Sequence, residues 1–303
     1  MLLKLILLKL SRYIYQKLHH FKNFKKNKFY NYFHLFWILL IGSNHGRRYT
    51  LYLKNKKIFN SIVDIKFFKK TNNKNIIIFL GDSHAEFYGK NFKSNKKKNR
   101  LFLSVWLGPA LLTNFSKSAY SINRSVFFLN KIFNKFGKSN KYHIILSFGE
   151  IDIRTAFYQF LKTYKTFENL DDLLKDTIQS LNQSIFLIKE KLSPEYDVKF
   201  YFKEPTPTTN MNGQEVKNKS DMNKLIISSN NFLPVLGTLS ERIEWHKSLV
   251  EKLRLNTKSY EFLKISKDHY NDMGSINRNF SDDHHIVKNK LIIEFQNSLK
   301  KIL

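Results

Sequence analysis

A chain of 303 residues with 42% hydrophobic and 15% aromatic content can bury the core of one large α/β domain with an appendage, which excludes a disordered polypeptide. It contains no cysteine, so disulfides, thiolate metal sites and a cysteine nucleophile are excluded, and a reducing compartment fits. The formal charge of +28 favours an anionic neighbour such as nucleic acid, acidic lipid or acidic glycan, but lysine is spread along the whole chain with asparagine, as in Lys54-Asn55-Lys56-Lys57 and Lys96 to Lys98. That spread reads as compositional bias. No RNP-like, zinc-finger or helix-turn-helix pattern accompanies it, which argues against nucleic acid as the main partner.

Residues 1–70 are basic and aromatic and fit no alternation of strands and helices, so they are expected to form an N-terminal extension to a domain over 71–303. Met1 to Leu10 is apolar but broken by Lys4 and Lys9, and Phe33 to Ile41 is interrupted by His34. Neither reaches the roughly 18 to 20 residues needed to span a bilayer. No small-residue cleavage site follows the first run, so a cytoplasmic location is expected. Leu2, Leu3, Leu5, Ile6, Leu7 and Leu10, interleaved with lysines, suit a helix lying on the anionic inner face of a membrane, and equally a helix packed on the main domain.

Five short runs read as buried strands: Asn75 to Leu80, Leu101 to Trp106, His143 to Phe148, Val198 to Lys203 and Tyr260 to Ile265. The first and third are almost continuously hydrophobic, as a parallel strand covered on both faces must be. Leu170, Leu173, Leu174, Ile178, Leu181, Ile185 and Ile188 form a helical stripe. Ile243, Leu249, Val250 and Leu253 form a second, entered through Thr238 and Glu241 at capping-box spacing, and Val287, Leu291, Ile292, Phe295, Leu299 and Ile302 form a third. Strands alternating with helices predict a three-layer α/β/α domain with a five-stranded parallel, flavodoxin-like sheet. Glu204 to Gly237, with Pro205, Pro207, Gly213 and Pro234, reads as a long connection of the kind that serves as a lid or substrate loop.

Two segments carry candidate chemistry. Ile76-Ile77-Ile78-Phe79-Leu80 runs into Gly81-Asp82-Ser83-His84-Ala85, placing a serine hydroxyl at the carboxyl end of a strand, where ligands bind in open parallel sheets. The same three residues also suit an ordinary helix N-cap. Asp282-Asp283-His284-His285 precedes the last helical stripe, and Asp282 and His285, three apart, can turn toward one pocket. A serine needs an imidazole to take its proton and the imidazole needs a carboxylate to fix its tautomer, so Ser83, His285 and Asp282 compose a candidate triad. Asp283 and His284 leave the pairing open by one position, and the alternative is two aspartates capping a helix beside surface histidines. The same four residues offer a partial metal site, but no His-Glu-x-x-His spacing exists, and neither metal nor cofactor is expected.

These residues resemble the SGNH (GDSL-like) hydrolase superfamily, with Gly-Asp-Ser after the first strand and Asp-x-x-His near the end, over roughly Asn75 to the C-terminus. Gly-Asp-Ser-His-Ala looks like the version in domains linked to O-acyl transfer on bacterial cell-surface glycans. The resemblance implies Ser83 as nucleophile, His285 as general base and then acid, Asp282 as its orienter, and the amides of Ser83 and Gly108 as an oxyanion hole. The family's third block reads Gly-x-Asn-Asp; here it is Gly149-Glu150-Ile151-Asp152, followed by Ile153 and Arg154. Ile151 stands where the asparagine would donate to the oxyanion. Arg154 can meet a substrate oxygen or an acidic sugar, or form an ion pair with Asp152 or Glu150; His84, Glu150, Asp152 and Arg154 are therefore candidate substrate-binding residues.

The expectation is a serine-dependent esterase or O-acyltransferase acting on O-acyl, and by analogy O-acetyl, groups of a carbohydrate through an acyl-serine intermediate. A plain esterase or lipase shares that chemistry. A catalytically degenerate glycan-binding protein of the same fold, and a charge-driven binder of anionic membrane or nucleic acid, are the alternatives from other classes.

Overall fold

The computed structural model describes residues 74–89, 100–107, 110–228, 234–277, 279 and 289–299. The expected N-terminal extension, Gly108, the Asp282 to His285 segment, Val287 and Ile302 lie outside the described residues, as does the side chain of Ser83.

Five strands, β1 (Asn75–Gly81), β2 (Arg100–Trp106), β3 (Lys141–Ser147), β4 (Asp197–Lys203) and β5 (Glu261–Leu263), form one sheet in the order β2-β1-β3-β4-β5. Every pairing is parallel. In β1, Ile76 to Leu80 are all fully buried, because both faces of this strand are covered. Alternation divides them: Ile76, Ile78 and Leu80 face one apolar cluster, Ile77 and Phe79 the other.

The first cluster is closed by three long helices, α2 (Ala119–Phe136), α3 (Leu170–Lys191) and α5 (Leu239–Leu255). The second is closed by the short α1 (Ser83–Tyr88) and by α6 (Asn289–Ser298), through Tyr88, Leu291, Ile292 and Phe295. This is the expected three-layer architecture. Each fully buried leucine, such as Leu129 of α2 or Leu181 of α3, contributes about 1.5–3 kcal/mol of burial.

Helix α2 is not among the expected stripes, although Ile122, Leu129, Ile132, Phe133 and Phe136 recur at helical spacing and Ser118 caps its start. The adjacent Phe127 and Phe128 obscure its face, since Phe127 points to solvent with 51% of its surface exposed. The stripe on α5 is displaced from the expected one. Thr238 and Glu241 do form the capping box, but the buried face is Arg242, Trp245, His246, Leu249 and Leu253, with Ile243 and Val250 at its edge. A further helix follows β3, wound in π-type turns over Asp152–Ala156 and Gln159–Thr163.

The lid expected over Glu204 to Gly237 is corrected in its first part. Residues 204–209 are buried. Arg242, itself fully buried, donates from Nε to the Thr208 hydroxyl and from its two terminal nitrogens to the carbonyls of Thr209, Met211, Leu236 and Gly237. A short helix, α4 (Lys219–Ser228), lies within the segment. Polar backbone in the interior must find partners, and one guanidinium supplies five hydrogen bonds for it.

Candidate active site

The strand order reverses at β1, with β2 on one side and β3 on the other, so a crevice is expected beyond the carboxyl ends of β1 and β3. Gly81 closes β1 against both neighbours. A Cβ there would stand 2.0 Å from the Ser147 carbonyl oxygen, so only glycine fits. Its carbonyl accepts from the Leu107 amide at 2.8 Å, and the next amide, of Asp82, donates to the Ser147 carbonyl at 3.2 Å.

Asp82 is the N-cap of α1, and its Oδ1 accepts from the backbone amide of His84 at 2.9 Å. The N-cap reading of Gly81-Asp82-Ser83 is therefore realised, and it places Ser83 as the first helical residue at the carboxyl end of β1. His84 is buried, and its Nδ1 lies 3.1 Å from the same carboxylate oxygen, so that nitrogen carries the proton and donates. Asp82 Oδ2 is buried without a hydrogen-bond partner.

The loop leaving β2 is held at two points. Leu107 is tied to Gly81 as above, and beyond Gly108 the amides of Leu112 and Thr113 donate to the two carboxylate oxygens of Asp152, each at 2.9 Å; the Thr113 hydroxyl adds a third bond at 2.9 Å. Asp152 is fully buried. Burial pushes its carboxyl up to about 6, against the lowering effect of the bonds from Thr113 and Leu112. These contacts engage Asp152 with the loop that carries Gly108.

Gly149, at the turn after β3, has φ +107, and a Cβ there would meet Pro205 at 2.9 Å. Glycine is required on both counts. Of the two ion pairs open to Arg154, the structure forms the one with Glu150: Nε to Oε1 is 2.8 Å and both side chains are buried. The other Glu150 oxygen is buried without a hydrogen-bond partner, as are the hydroxyls of Ser147 and Thr206. Ile151 is 3% exposed and brings no donor of its own side chain.

Sequence reasoning misses Lys203. It ends β4 on the same face as Tyr201, an inward lysine in an otherwise apolar strand end, and that alternation is the signal that points to it. Its Nζ donates to the Glu204 carbonyl at 2.7 Å and sits 4.7 Å from the Tyr88 ring centre. Burial pulls the ammonium down to about 8, opposed by the nearby Asp82 and Glu204 carboxylates.

Two histidines that stand isolated in the sequence have structural partners. His143 lies beside the Tyr201 hydroxyl and the Asn75 amide, at the amino ends of the strands and away from Ser83. His246 donates from Nε2 to the Pro205 carbonyl at 3.1 Å. Among the described residues no group of three His, Cys, Asp or Glu side chains is placed to hold a metal, and no helix is long and apolar enough to cross a membrane. A groove of about 660 Å³ between α3 and the end of α5, lined by Lys175, Gln179, Phe186 and Lys252 among others, contains none of the candidate residues.

No family model and no curated protein matches the sequence. Among solved structures, a GDSL-like lipase from Bacteroides thetaiotaomicron is similar at 11% identity and TM-score 0.43, covering 80% of this chain and 94% of its own. A carbohydrate acetylesterase from Sinorhizobium meliloti is similar at 11% identity and TM-score 0.40, covering 76% and 98%. The OSK domain of Drosophila Oskar is similar at 9% identity and TM-score 0.34, covering 73% and 86%. The likeness is one of fold, and such folds host unrelated functions, so the functional reading rests on this chain's own residues.

Proposed function

We propose that the chain is a serine-dependent esterase or O-acyltransferase acting on O-acyl groups of a carbohydrate through an acyl-serine intermediate. The observation that carries this reading is the placement of Ser83 at the carboxyl end of β1, at the point where the strand order reverses. The Asp282 and His285 pair later in the sequence supplies the carboxylate and imidazole that such a serine needs, which supports the same reading.

In this mechanism the Ser83 hydroxyl attacks the ester carbonyl while His285 takes its proton and Asp282 holds the imidazole in the required tautomer. The amides of Ser83 and Gly108 receive the oxyanion. His285 then returns the proton to the leaving alcohol. Water resolves the acyl-serine in hydrolysis, and a sugar hydroxyl resolves it in transfer. Asp152 supports this scheme indirectly, since it grips the loop of Gly108 from beyond, while Gly81 grips it from before.

The absence of a side-chain donor at Ile151 predicts slow turnover, because one lost oxyanion donor costs about 100-fold to 1,000-fold in rate in serine hydrolases. That same observation favours a second reading, a glycan-binding protein that keeps the fold without the reaction. Purified protein offered a chromogenic acetate ester, O-acetylated oligosaccharides and a fluorophosphonate probe separates the two. The proposal expects acetate release from the carbohydrate esters and labelling confined to Ser83. Neither turnover nor labelling would leave the binding protein as the reading.

A further inference from the structure

Helix α3 carries a second face beside its core stripe. Ile178, Asn182 and Phe186 follow one another at single-turn spacing, with Gln179 and Gln183 next to them, and all five line the groove of about 660 Å³. Asn256 and Ser259, at and beyond the end of α5, line it as well. The volume falls within the range of about 300–1,000 Å³ that holds small ligands. Ser259 stands just before β5, at the amino end of that strand, whereas Ser83 starts at the carboxyl end of β1.

The lining combines an aromatic ring with amides. Phe186 leaves 53% of its surface exposed, so apolar ring area in the groove is open to a ligand. Asn182 has the opposite need: its Oδ1 is buried and has no hydrogen-bond partner. Buried acceptors in folded proteins are almost always paired, so a donor arriving in the groove would complete this one. The Asn256 amide nitrogen donates to the Lys252 carbonyl at 2.8 Å, which fixes that side chain in the wall.

Two ammonium groups also line the groove, and both are engaged. Lys252 and Lys175 reach the two oxygens of Asp171 at 2.7 and 3.0 Å, and Lys175 lies 3.8 Å from Asp172. An anionic ligand would have to displace those carboxylates. A hydrocarbon ligand would leave the amides of Gln179, Asn182 and Gln183 unpaired. A sugar ring meets both demands, because its C–H face suits an aromatic ring and its hydroxyls donate to and accept from amides.

We propose that the groove between α3 and the end of α5 binds an uncharged oligosaccharide, with one ring laid on Phe186 and a hydroxyl donating to Asn182 Oδ1. This site goes beyond the proposed reaction and does not depend on it, since it shares no residue with the candidate catalytic set.

The test titrates full-length protein with unacylated oligosaccharides of neutral hexose and of N-acetylhexosamine, alongside an acidic oligosaccharide and a neutral polar peptide. Unacylated sugars offer no ester, so binding is read apart from turnover. We expect a neutral sugar to bind with little dependence on salt, Phe186→Ala and Asn182→Leu each to weaken it about tenfold or more, and Phe186→Tyr to retain it. Turnover of a chromogenic acetate and Tm should be unchanged in Phe186→Ala, whose side chain is half exposed. If Asn182→Leu does not fold, Phe186→Ala against Phe186→Tyr decides alone. No binding of any neutral sugar would overturn the proposal, as would binding that survives Phe186→Ala. Binding confined to the acidic sugar and lost with salt, or to the peptide, would assign the groove to another ligand and overturn it too. An inactive wild type that still binds sugar through Phe186 removes only the proposed reaction, and an active one that binds none removes only the groove.

Discussion

Replacing Asp152 with asparagine leaves the shape of the side chain and removes its charge. The wild-type carboxyl titrates at about 6 when folded against 3.8 in an unfolded chain, so the folded protein holds that proton more tightly. Its contribution to stability is fully present below about pH 4 and is lost as pH rises through about 6. The gap between 3.8 and about 6, at about 1.4 kcal/mol per pH unit, amounts to about 3 kcal/mol. Asparagine has no such titration. Its amide group would, however, face a backbone N–H where the carboxylate accepts from Leu112 or from Thr113, forfeiting one charge-assisted bond of about 1.5–3 kcal/mol. The absolute cost at one pH mixes these effects; the pH dependence isolates the first. Urea unfolding of both proteins at pH 4 and pH 7 should show the stability difference moving by about 3 kcal/mol in favour of the variant at the higher pH. Parallel stability curves would refute the assignment of a buried, strained ionisation to Asp152. Loss of esterase activity in a variant that remains folded would follow from slackening of the Gly108 loop.

Lys203→Met should erase a stability gain that the wild type shows between about pH 8 and 10.5: the folded ammonium titrates at about 8, so its penalty lifts as pH rises, by about 3 kcal/mol, measured as the wild-type minus variant difference in urea. Gly149→Ala should lower stability by at least 1–3 kcal/mol, because φ +107 disfavours a side chain and Pro205 occupies the space; a Tm unchanged within a degree would contradict this. Arg242→Met should cost about 3–5 kcal/mol and expose residues 205–214 to proteolysis, since the carbonyls of Thr209, Met211, Leu236 and Gly237 lose their shared donor; resistance equal to wild type would mean that the segment is held by other contacts.

The sheet is legible because burial on both faces leaves little freedom of composition: Ile76 to Leu80 reads as a strand of a parallel sheet from its residue types alone, and its limits move by only a residue. Thr238 and Glu241 are legible because a capping box needs two residue types at one spacing. What is not legible depends on partners far apart in sequence. Arg242 gives no sign in its own neighbourhood that its donors serve carbonyls between Thr209 and Gly237, and Ile243 beside it is the better apolar guess for the buried face. Asp152 reads as a pocket carboxylate, whereas both its oxygens accept from the amides of Leu112 and Thr113, which follow β2 in the chain about forty residues earlier. Arg154 could pair with either Asp152 or Glu150 on sequence grounds, and the turn of the helix brings it to Glu150, one i,i+4 step away. Gly108, Asp282 and His285 enter the proposed site through the sequence motif, and Ser83 through the motif and its backbone position at the end of β1.

The central claim is that Ser83 and His285 work as one catalytic unit, and the kinetics of Ser83→Ala, His285→Ala and the double variant on a chromogenic acetate test it most directly. If they form one unit, each single variant loses nearly all activity at unchanged Tm, and the double variant is no slower than either. Independent, multiplying losses, or a Ser83→Ala protein that turns over ester like the wild type, would contradict it.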